Sequence, residues 1–390
     1  MMAHATIKLP LDGGLTPSYL IHRMIRLSGA IAKVIVNEYG EHEFLRRLSD
    51  PLWFQAFGCV LGFDWHSSGI TTVVTGVLKQ SLTVEEHGIS IAGGKGKKST
   101  QTKNEIPTLA EKYYNLSSNK IDSLVYASRM AAKVDNATVQ DGYTLYHHVI
   151  LFDKNGDWSV VQQGMNTKDM TARRYHWISD FAKSFTCEPD AGIISNYKNL
   201  STLNMSSINS KENQKVSLEL ATGNIENLKS SVNRLVLKNH TLGMNSTLDD
   251  WTPRSNLSYT SGIVFEGYHA DEHYEMPRRL DWNLFRKIYD IQPRNYEQLI
   301  SVPGFGPAAV RALSLIGEII FGTKASWQDP VKYNFAHGGK DGVPYPVARN
   351  TYDKSISYLS DAIEGAEIQR QERIHALKKL AAFSKRLFSD

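Results

Sequence analysis

Cysteine is almost absent from this chain of 390 residues, which has only Cys59 and Cys187. Two cysteines cannot form the disulfide framework of a small secreted protein or a cysteine-based zinc site. Long apolar runs are missing too: Ala30–Val36 and Val310–Ile320 fall far short of the roughly 20 residues of a transmembrane helix. Met1–Pro10 has no signal-peptide pattern. We therefore expect a cytoplasmic protein that does not contact a membrane.

Positive charge is only slightly in excess. The chain has 44 Lys and Arg residues and 40 Asp and Glu residues, which gives a net charge of +4. This balance permits a polyanionic partner without requiring one. Hydrophobic residues, by contrast, make up 41% of the chain and aromatic residues 10%. A chain of this composition can form a core, which excludes wholesale disorder, and its length suits two or three domains.

Helical spacing of apolar residues dominates the first sixty positions. One helix is predicted from Thr16-Pro17 to Tyr39, with Thr16 as N-cap and proline in the first turn. A short helix at Glu43–Leu48 follows, and a third begins at Asp50-Pro51. Beyond them, Thr71–Thr75 and His87–Ala92 have the composition of strands.

A β-hairpin is the clearest feature of the middle of the chain. Tyr143–Phe152 and Trp158–Val161 are rich in β-forming residues and flank a turn with Asn-Gly at its centre. We predict a helix at Thr171–Phe185 and another at Lys211–Thr222. From Asp281 the pattern is helical again, and Ser355–Phe388 reads as one or two amphipathic helices.

These elements predict an α/β (α+β) N-terminal domain with a β-hairpin core, followed by an all-α domain. The N-terminal domain is expected to span residues 1–240 and to carry the chemistry. An Asn/Ser-rich linker is expected at 241–262, where polar residues of small size are concentrated. The helical domain, 263–390, would then contain a helix-hairpin-helix at 299–321.

The strongest local pattern lies at Leu299–Leu313, where an apolar helix end meets Pro-Gly-Phe-Gly-Pro and a second apolar helix follows. Gly304 and Gly306 lack a Cβ, so the turn can approach a phosphate closely. Amide groups at the start of the second helix lack acceptors and attract an anion. The pattern resembles the helix-hairpin-helix of DNA repair proteins, nucleases and polymerases, with Phe305 and Arg311 beside the glycines. An ordinary two-glycine turn between packed helices is the alternative.

The N-terminal half contains the candidate catalytic residues. Carboxylates, imidazoles and an amide recur within short distances of one another along the chain, and together they suggest an oxygen and nitrogen site for Mg²⁺ or Mn²⁺. Adjacent strand residues point to opposite faces, so only one of His147 and His148 can join such a site. No tight metal-ligand spacing is present, and each residue could instead serve in a hydrogen-bonded network. The candidate set is Asp64, His66, Asp135, Asp141, His147, His148 and Gln163, of which Asp64, Asp135 and Asp141 are the expected metal ligands.

Basic residues gather in three other segments. A glycine-rich loop at Gly93–Lys98 lacks the spacing of a phosphate-binding Walker A loop, and a flexible basic loop that contacts a nucleic-acid backbone suits it better. Arg173-Arg174 lies among aromatic residues, which suits phosphate contact with base stacking as well as a helix held by salt bridges. The candidate DNA-binding residues in these segments are Lys95, Lys97, Lys98, Arg173, Arg174 and Lys340.

Several long strings resemble domain-of-unknown-function family 763, which occurs in archaea and bacteria. The resemblance covers nearly the whole chain but implies no activity. Relatives often have a lysine where this chain has Ala308 or Ala309, and an aspartate in place of Ala348. The strings that carry the resemblance are Phe44–Pro51, Trp53–Gly69, Gly93–Lys97, Tyr146–His148, Val161–Asn166, Arg173–Trp177 and Phe335–Gly342.

The function that we predict is nucleic-acid processing, with DNA rather than RNA as the partner. A metal-dependent nuclease (phosphodiesterase) of DNA repair or recombination is the first interpretation. A helix-hairpin-helix DNA glycosylase or lyase is the second, since Asp329 lies at a plausible distance after the hairpin, although the lysine that those enzymes often carry is absent. A non-catalytic, structure-specific DNA-binding protein is the third.

Overall fold

The computed structural model describes residues 18–63, 69–195, 198–199, 201–239, 275–277, 279–334 and 349–388. The expected linker at 241–262, the start of the first predicted helix, and the candidate residues Asp64, His66 and Lys340 lie outside this part of the chain. No helix in the described ranges is long and apolar enough to cross a membrane.

Four helices open the described chain, and local sequence signals explain their ends. Asp50 caps the third helix, because its side chain accepts hydrogen bonds from the amides of Leu52 and Trp53, and Pro51 occupies the first turn. Gly62 ends that helix with a φ of 118°. The helices are α1 (Ser18–Tyr39), α2 (Glu41–Ser49), α3 (Pro51–Leu61) and α4 (Gly69–Ser81), and the single turn α5 (Val84–His87) follows.

A mixed sheet occupies the centre of the molecule. Five strands run antiparallel in the order β1, β3, β4, β5, β6, and a two-residue strand, β8, pairs with β6 in parallel. A separate two-stranded ribbon joins β2 and β7. The strands are β1 (Ile89–Lys95), β2 (Val139–Gln140), β3 (Thr144–Asp153), β4 (Trp158–Asn166), β5 (Thr171–Ile178), β6 (Gly192–Ser195), β7 (Leu203–Asn204) and β8 (Tyr333–Asn334).

Helices make up the rest of the described chain. A 3-10 turn at Gly96–Thr100 follows β1, and a π-helical turn at Val134–Thr138 extends the seventh helix. The helices are α6 (Thr102–Tyr113), α7 (Ser118–Lys133), α8 (Lys211–Thr222), α9 (Ile225–Asn239), α10 (Trp282–Ile291), α11 (Tyr296–Ser301), α12 (Pro307–Phe321), α13 (Arg349–Gly365) and α14 (Arg370–Phe388).

The two faces of the sheet are buried against different helices. Val149, Leu151 and Val161 face a core that includes residues of α1 to α4, α13 and α14. Ile150 and Trp177 face a second core, which includes residues of α7 and α10 to α12. The helices that precede and follow residues 240–274 therefore share one apolar core with the sheet. The division into an N-terminal and a C-terminal domain stays a prediction.

The mixed α/β class is confirmed, as are the β-hairpin at its centre and the helices at the C-terminus. The predicted helix Lys211–Thr222 is also confirmed with its bounds. The C-terminal part also contributes β8 to the central sheet.

Two predicted segments have the wrong secondary structure. Thr71–Thr75 was expected as a strand but lies in α4, where Ile70, Val74 and Leu78 recur every four residues and are buried. Thr171–Phe185 was expected as a helix, yet its first half is β5, buried along its whole length. The glycine-lysine loop is shorter than expected, because β1 continues to Lys95. Local composition misled in each case because tertiary burial decides the conformation of such short runs.

Gly93 allows β1 to pair closely with β3. Its φ is 97°, and a Cβ at this position would overlap the carbonyl oxygen of His148. We predict that Gly93→Ala destabilises the protein by at least the roughly 1–3 kcal/mol of an unfavourable backbone conformation. Gly76→Ala in α4 is the control, since nothing lies within 4 Å of its added Cβ. Urea unfolding should show the control equal to or more stable than the natural protein; equal losses in both variants would contradict the explanation.

Candidate functional site

Strand alternation separates the buried polar residues of the sheet into two layers. His147, Gln163 and Arg174 are paired in register across β3, β4 and β5 and share one face. Their neighbours His148 and Gln162 lie on the other face. The sequence predicted that the two adjacent histidines would point apart, and they do.

Asp135 lies on the His148 face, in the π-helical turn after α7. Its Oδ2 accepts hydrogen bonds from the Gln162 side-chain amide at 2.5 Å and from the Trp177 indole at 2.8 Å. Burial raises the pKa of Asp135 well above its usual range, and the neighbouring carboxylates of Asp190 and Asp141 raise it further. The carboxyl group is therefore held towards its neutral form.

Asp141 belongs to a buried ion network centred on Arg173. The guanidinium donates to Asp141 at 2.9 Å and, through both terminal nitrogens, to Asp329 at 3.0 and 2.9 Å. The Tyr175 hydroxyl donates to the same Asp141 oxygen at 2.6 Å, and the Tyr143 amide donates to the other oxygen. Burial would lower the pKa of Arg173, but the two carboxylates raise it above its usual range. Arg173 is fully charged and reaches no solvent.

His148 is held as a neutral imidazole between two polar partners. Nδ1 contacts the Gln162 carbonyl oxygen at 2.7 Å, and Nε2 contacts the Ser128 hydroxyl at 2.8 Å. Because the Gln162 oxygen can only accept, Nδ1 carries the proton and Nε2 accepts from Ser128. Burial lowers the pKa of His148 to about 4. Its ring nitrogens are thus both occupied.

On the opposite face, Arg174 is a buried cation that forms no ion pair with any described residue. Its donors contact the His176 ring at 2.7 Å, the Gln55 side-chain oxygen at 3.1 Å and the Pro51 carbonyl at 3.2 Å. Burial lowers the pKa of Arg174 to about 9. Phe54 lies under the guanidinium carbon, 4.6 Å from the ring centre.

His147 lies beside Arg174 in the register, with Gln163 between them. Its Nε2 contacts the Thr75 hydroxyl at 2.9 Å, while that hydroxyl donates to the Thr71 carbonyl at 2.7 Å. Nε2 therefore carries the proton, and Nδ1 is buried without a partner. Burial lowers the pKa of His147 to about 3.

The structure therefore divides the candidate catalytic residues. Asp135, Asp141 and His148 share one face, and His147 and Gln163 share the other. No group of three or more His, Cys, Asp or Glu in the described ranges is placed to hold a metal ion. An ion at Asp135 and Asp141 would have to displace the donors that now occupy the carboxylate oxygens, which are Gln162, Trp177, Arg173 and Tyr175. The metal site, which also included Asp64 outside these ranges, stays a prediction.

The candidate DNA-binding residues also differ in accessibility. Lys95, Lys97 and Lys98 are exposed at the end of β1 and in the 3-10 turn that follows. Arg173 and Arg174, by contrast, are 0% and 6% exposed, and their guanidinium groups bind other residues of the protein. Of these five described residues, the three lysines are the ones that present their charge to solvent.

Helices α11 and α12 meet in a tight turn that is exposed at its tip. Pro303 and Gly304 are exposed, and Gly304 has a φ of 89°, a conformation that favours glycine. Phe305 is fully buried and anchors the turn. Helix α12 then starts with Gly306 at its N-cap and Pro307 in its first turn, and no side chain caps it.

Two side chains from outside the turn hold it in place. Lys133, the last residue of α7, donates to the Val302 carbonyl at 2.8 Å. Gln140 donates to the Pro307 carbonyl at 2.8 Å and accepts a hydrogen bond from Arg311 at 2.8 Å. Sequence reasoning missed Lys133 and Gln140, because each lies more than 160 positions from its partner and no local spacing signals the contact.

The fold is that of a mixed α/β protein in which α10 to α12 share an apolar core with one face of the central sheet. The sequence matches, over residues 5–347, the family described as protein of unknown function (DUF763), and the chain belongs to that family. No curated protein and no solved structure matches the chain.

Substitutions in the Arg173 network should lower the free energy of unfolding by unequal amounts. Arg173→Met leaves two buried carboxylates facing each other, and we predict a loss of roughly 3–5 kcal/mol. Asp329→Asn leaves a balanced pair of Arg173 and Asp141, so its loss should be clearly smaller. Chemical unfolding of both variants measures the difference. Equal losses would show that charge balance does not govern the stability of this network.

Proposed function

We propose that this chain binds the backbone of nucleic acid, DNA in the first instance, through the turn between α11 and α12 acting as a helix-hairpin-helix. The observation that carries the proposal is the start of α12, where no side chain caps Gly306 and the next two residues, Pro307 and Ala308, are exposed. The first amides of a helix have no acceptors within it, and they lie at the positive end of its dipole. A phosphate supplies both the missing hydrogen-bond acceptor and a negative charge.

The shape of the turn favours a phosphate over a bulkier ligand. Gly304 and Gly306 present no side chains, so a phosphate oxygen can approach their amides directly. Phe305 fixes the turn from inside, and Lys133 and Gln140 donate to the carbonyls of Val302 and Pro307, so these acceptors are already occupied. Contacts of this kind carry no base identity, so binding is expected without sequence preference.

Charge near the turn agrees with a polyanionic partner. Lys133 lies against the Val302 carbonyl, and Arg129 lies one helical turn before it on α7. Arg311 lies one turn into α12. These three cations lie on α7 and α12, the helices beside the turn, whose amides would donate hydrogen bonds to a phosphate.

Substitution of Gly306 tests the proposal without straining the backbone, because its φ is −124° and an added Cβ meets nothing closer than 3.8 Å. Gly306→Asp should cap α12 and preserve or raise stability. Its carboxylate should also occupy the amides and repel phosphate, which lowers DNA affinity at least about tenfold. Fluorescence anisotropy with duplex and single-stranded DNA at several salt concentrations measures the loss.

Gly306→Ser is the matched control, since it caps the helix with a neutral group and should weaken binding less. The natural protein should lose affinity steeply as salt rises, since binding releases counterions. Unchanged affinity in Gly306→Asp, at moderate salt, would refute the hairpin as the binding site.

Metal-dependent cleavage of the bound strand is the catalytic part of the proposal. The observation that favours it is position: the π-helical turn that holds Asp135 packs directly against α12. Single-turn π-helices are frequent at functional sites. A Mg²⁺ or Mn²⁺ ion that displaced the present donors to Asp135 and Asp141 would activate water and neutralise the phosphodiester.

We predict that Asp135→Asn abolishes Mg²⁺- or Mn²⁺-dependent cutting of labelled DNA while folding is retained. Folding should survive because the amide oxygen can still accept from Gln162 and Trp177, and because the natural carboxyl is already held towards its neutral form. Asp122→Asn, on the exposed surface of α7, is the control. Full cutting by Asp135→Asn, or no cutting by the natural protein with either metal, would refute the catalytic proposal. Only the proposed binding function would then remain.

A further inference from the structure

Lys133 occupies an unusual place beside the proposed phosphate-binding turn. It ends α7, and its Nζ lies 2.8 Å from the Val302 carbonyl oxygen, at the point where α11 gives way to the turn. No sequence pattern linked α7 to the turn. The contact places a primary amine at the end of α11, where the turn begins.

The surroundings of Lys133 differ from those of several ion-paired lysines in the described chain. Lys79, Lys154 and Lys215 each form an ion pair with a glutamate at 3.0 Å or less. Lys133 is half-buried and forms no ion pair within the described ranges. Burial, and then the charge of Arg129, lower the pKa of Lys133 to about 8. A fraction of the amine is therefore neutral near pH 7 and able to act as a nucleophile.

The chemistry of nucleic acid limits what such an amine can attack. Phosphodiesters and intact bases are poor electrophiles for an amine, whereas the sugar of an abasic site exposes an aldehyde carbon. Lysine reacts readily with carbonyl groups to form a Schiff base. A phosphate bound at the turn would place the flanking sugar within reach of the flexible side chain of Lys133.

We propose that Lys133 forms an imine with the C1′ aldehyde of an abasic site in DNA held at the α11–α12 turn, which gives the protein an abasic-site lyase activity. The proposal rests on the nucleic-acid binding proposed above. It also supplies, from α7, the amine that the turn itself lacks at Ala308 and Ala309.

The reaction needs only the DNA, the Lys133 amine and water, which can also act as the base. The Lys133 nitrogen adds to C1′, and loss of one water gives the protonated imine. A base removes a proton from C2′, the C3′–O bond breaks, and the strand end leaves as a phosphate monoester. Hydrolysis takes up one water and returns the free amine with an unsaturated aldehyde. No oxidant or reductant takes part.

Borohydride trapping tests this directly. Duplex DNA with one abasic site is incubated with the full chain and cyanoborohydride, which reduces the imine to a stable amine. We expect a covalent adduct that peptide mass spectrometry maps to Lys133. Without reductant, the strand should break at the abasic site faster than in protein-free buffer.

Two variants separate catalysis from a structural role. Lys133→Arg keeps the charge and can donate to the Val302 carbonyl, so DNA affinity should stay within about threefold while adduct formation falls at least tenfold. Lys120→Arg is the matched control, because Lys120 lies on the same helix and also donates to a backbone carbonyl, that of Asn155. It should form adduct at the natural rate.

The possible failures are distinguishable. If the natural protein binds the abasic duplex but gives no adduct, or if Lys133→Arg traps as well as the natural protein, the lyase proposal falls and the binding proposal stands. If the natural protein does not bind DNA in the parallel anisotropy measurement, both fall.

Discussion

The buried guanidinium of Arg173 is the interaction on which the rest of the structure depends. It lies in β5, near the centre of the sheet, and binds Asp141 before β3 and Asp329 beyond α12. Asp329 in turn accepts hydrogen bonds from the amides of Asn199 and Val331. Removing these charges from water is costly, and their mutual pairing with further hydrogen bonds offsets that cost, although Arg173 Nε has no partner among the described residues. The network therefore fixes where the chain after α12 must lie.

This constraint also positions the turn between α11 and α12. Helix α12, which precedes Asp329, shares an apolar core with one face of the sheet and packs against the π-helical turn that holds Asp135. Lys133 and Gln140 then reach the carbonyls of the turn from that side. Pro307 and Ala308 at the start of α12 are exposed, and both proposals, phosphate binding and imine formation, use this one location.

Much of the fold, and the turn between α11 and α12, could be predicted from local signals, whereas the long-range contacts that hold the turn could not. The cap at Asp50 and the Asn-Gly turn between β3 and β4 are encoded within a few residues. Thr171–Phe185 was misread because two adjacent arginines look solvated in sequence, whereas ion pairs and carbonyls far along the chain bury them. The opposed directions of His147 and His148 followed from strand geometry. Lys133 gave no signal, since its importance comes from a contact 169 positions away.

Hydrogen–deuterium exchange on the natural protein, with and without duplex DNA, tests the central claim most directly. The account predicts that DNA slows exchange of the amides of Gly304, Gly306 and Ala308, and that the effect fades as salt is raised. The exposed lysine turn at Gly96–Thr100 provides an internal comparison for general electrostatic contact. Protection confined to that turn, with unchanged exchange at Gly304–Ala308 while DNA is bound, would contradict the claim that the start of α12 holds the phosphate.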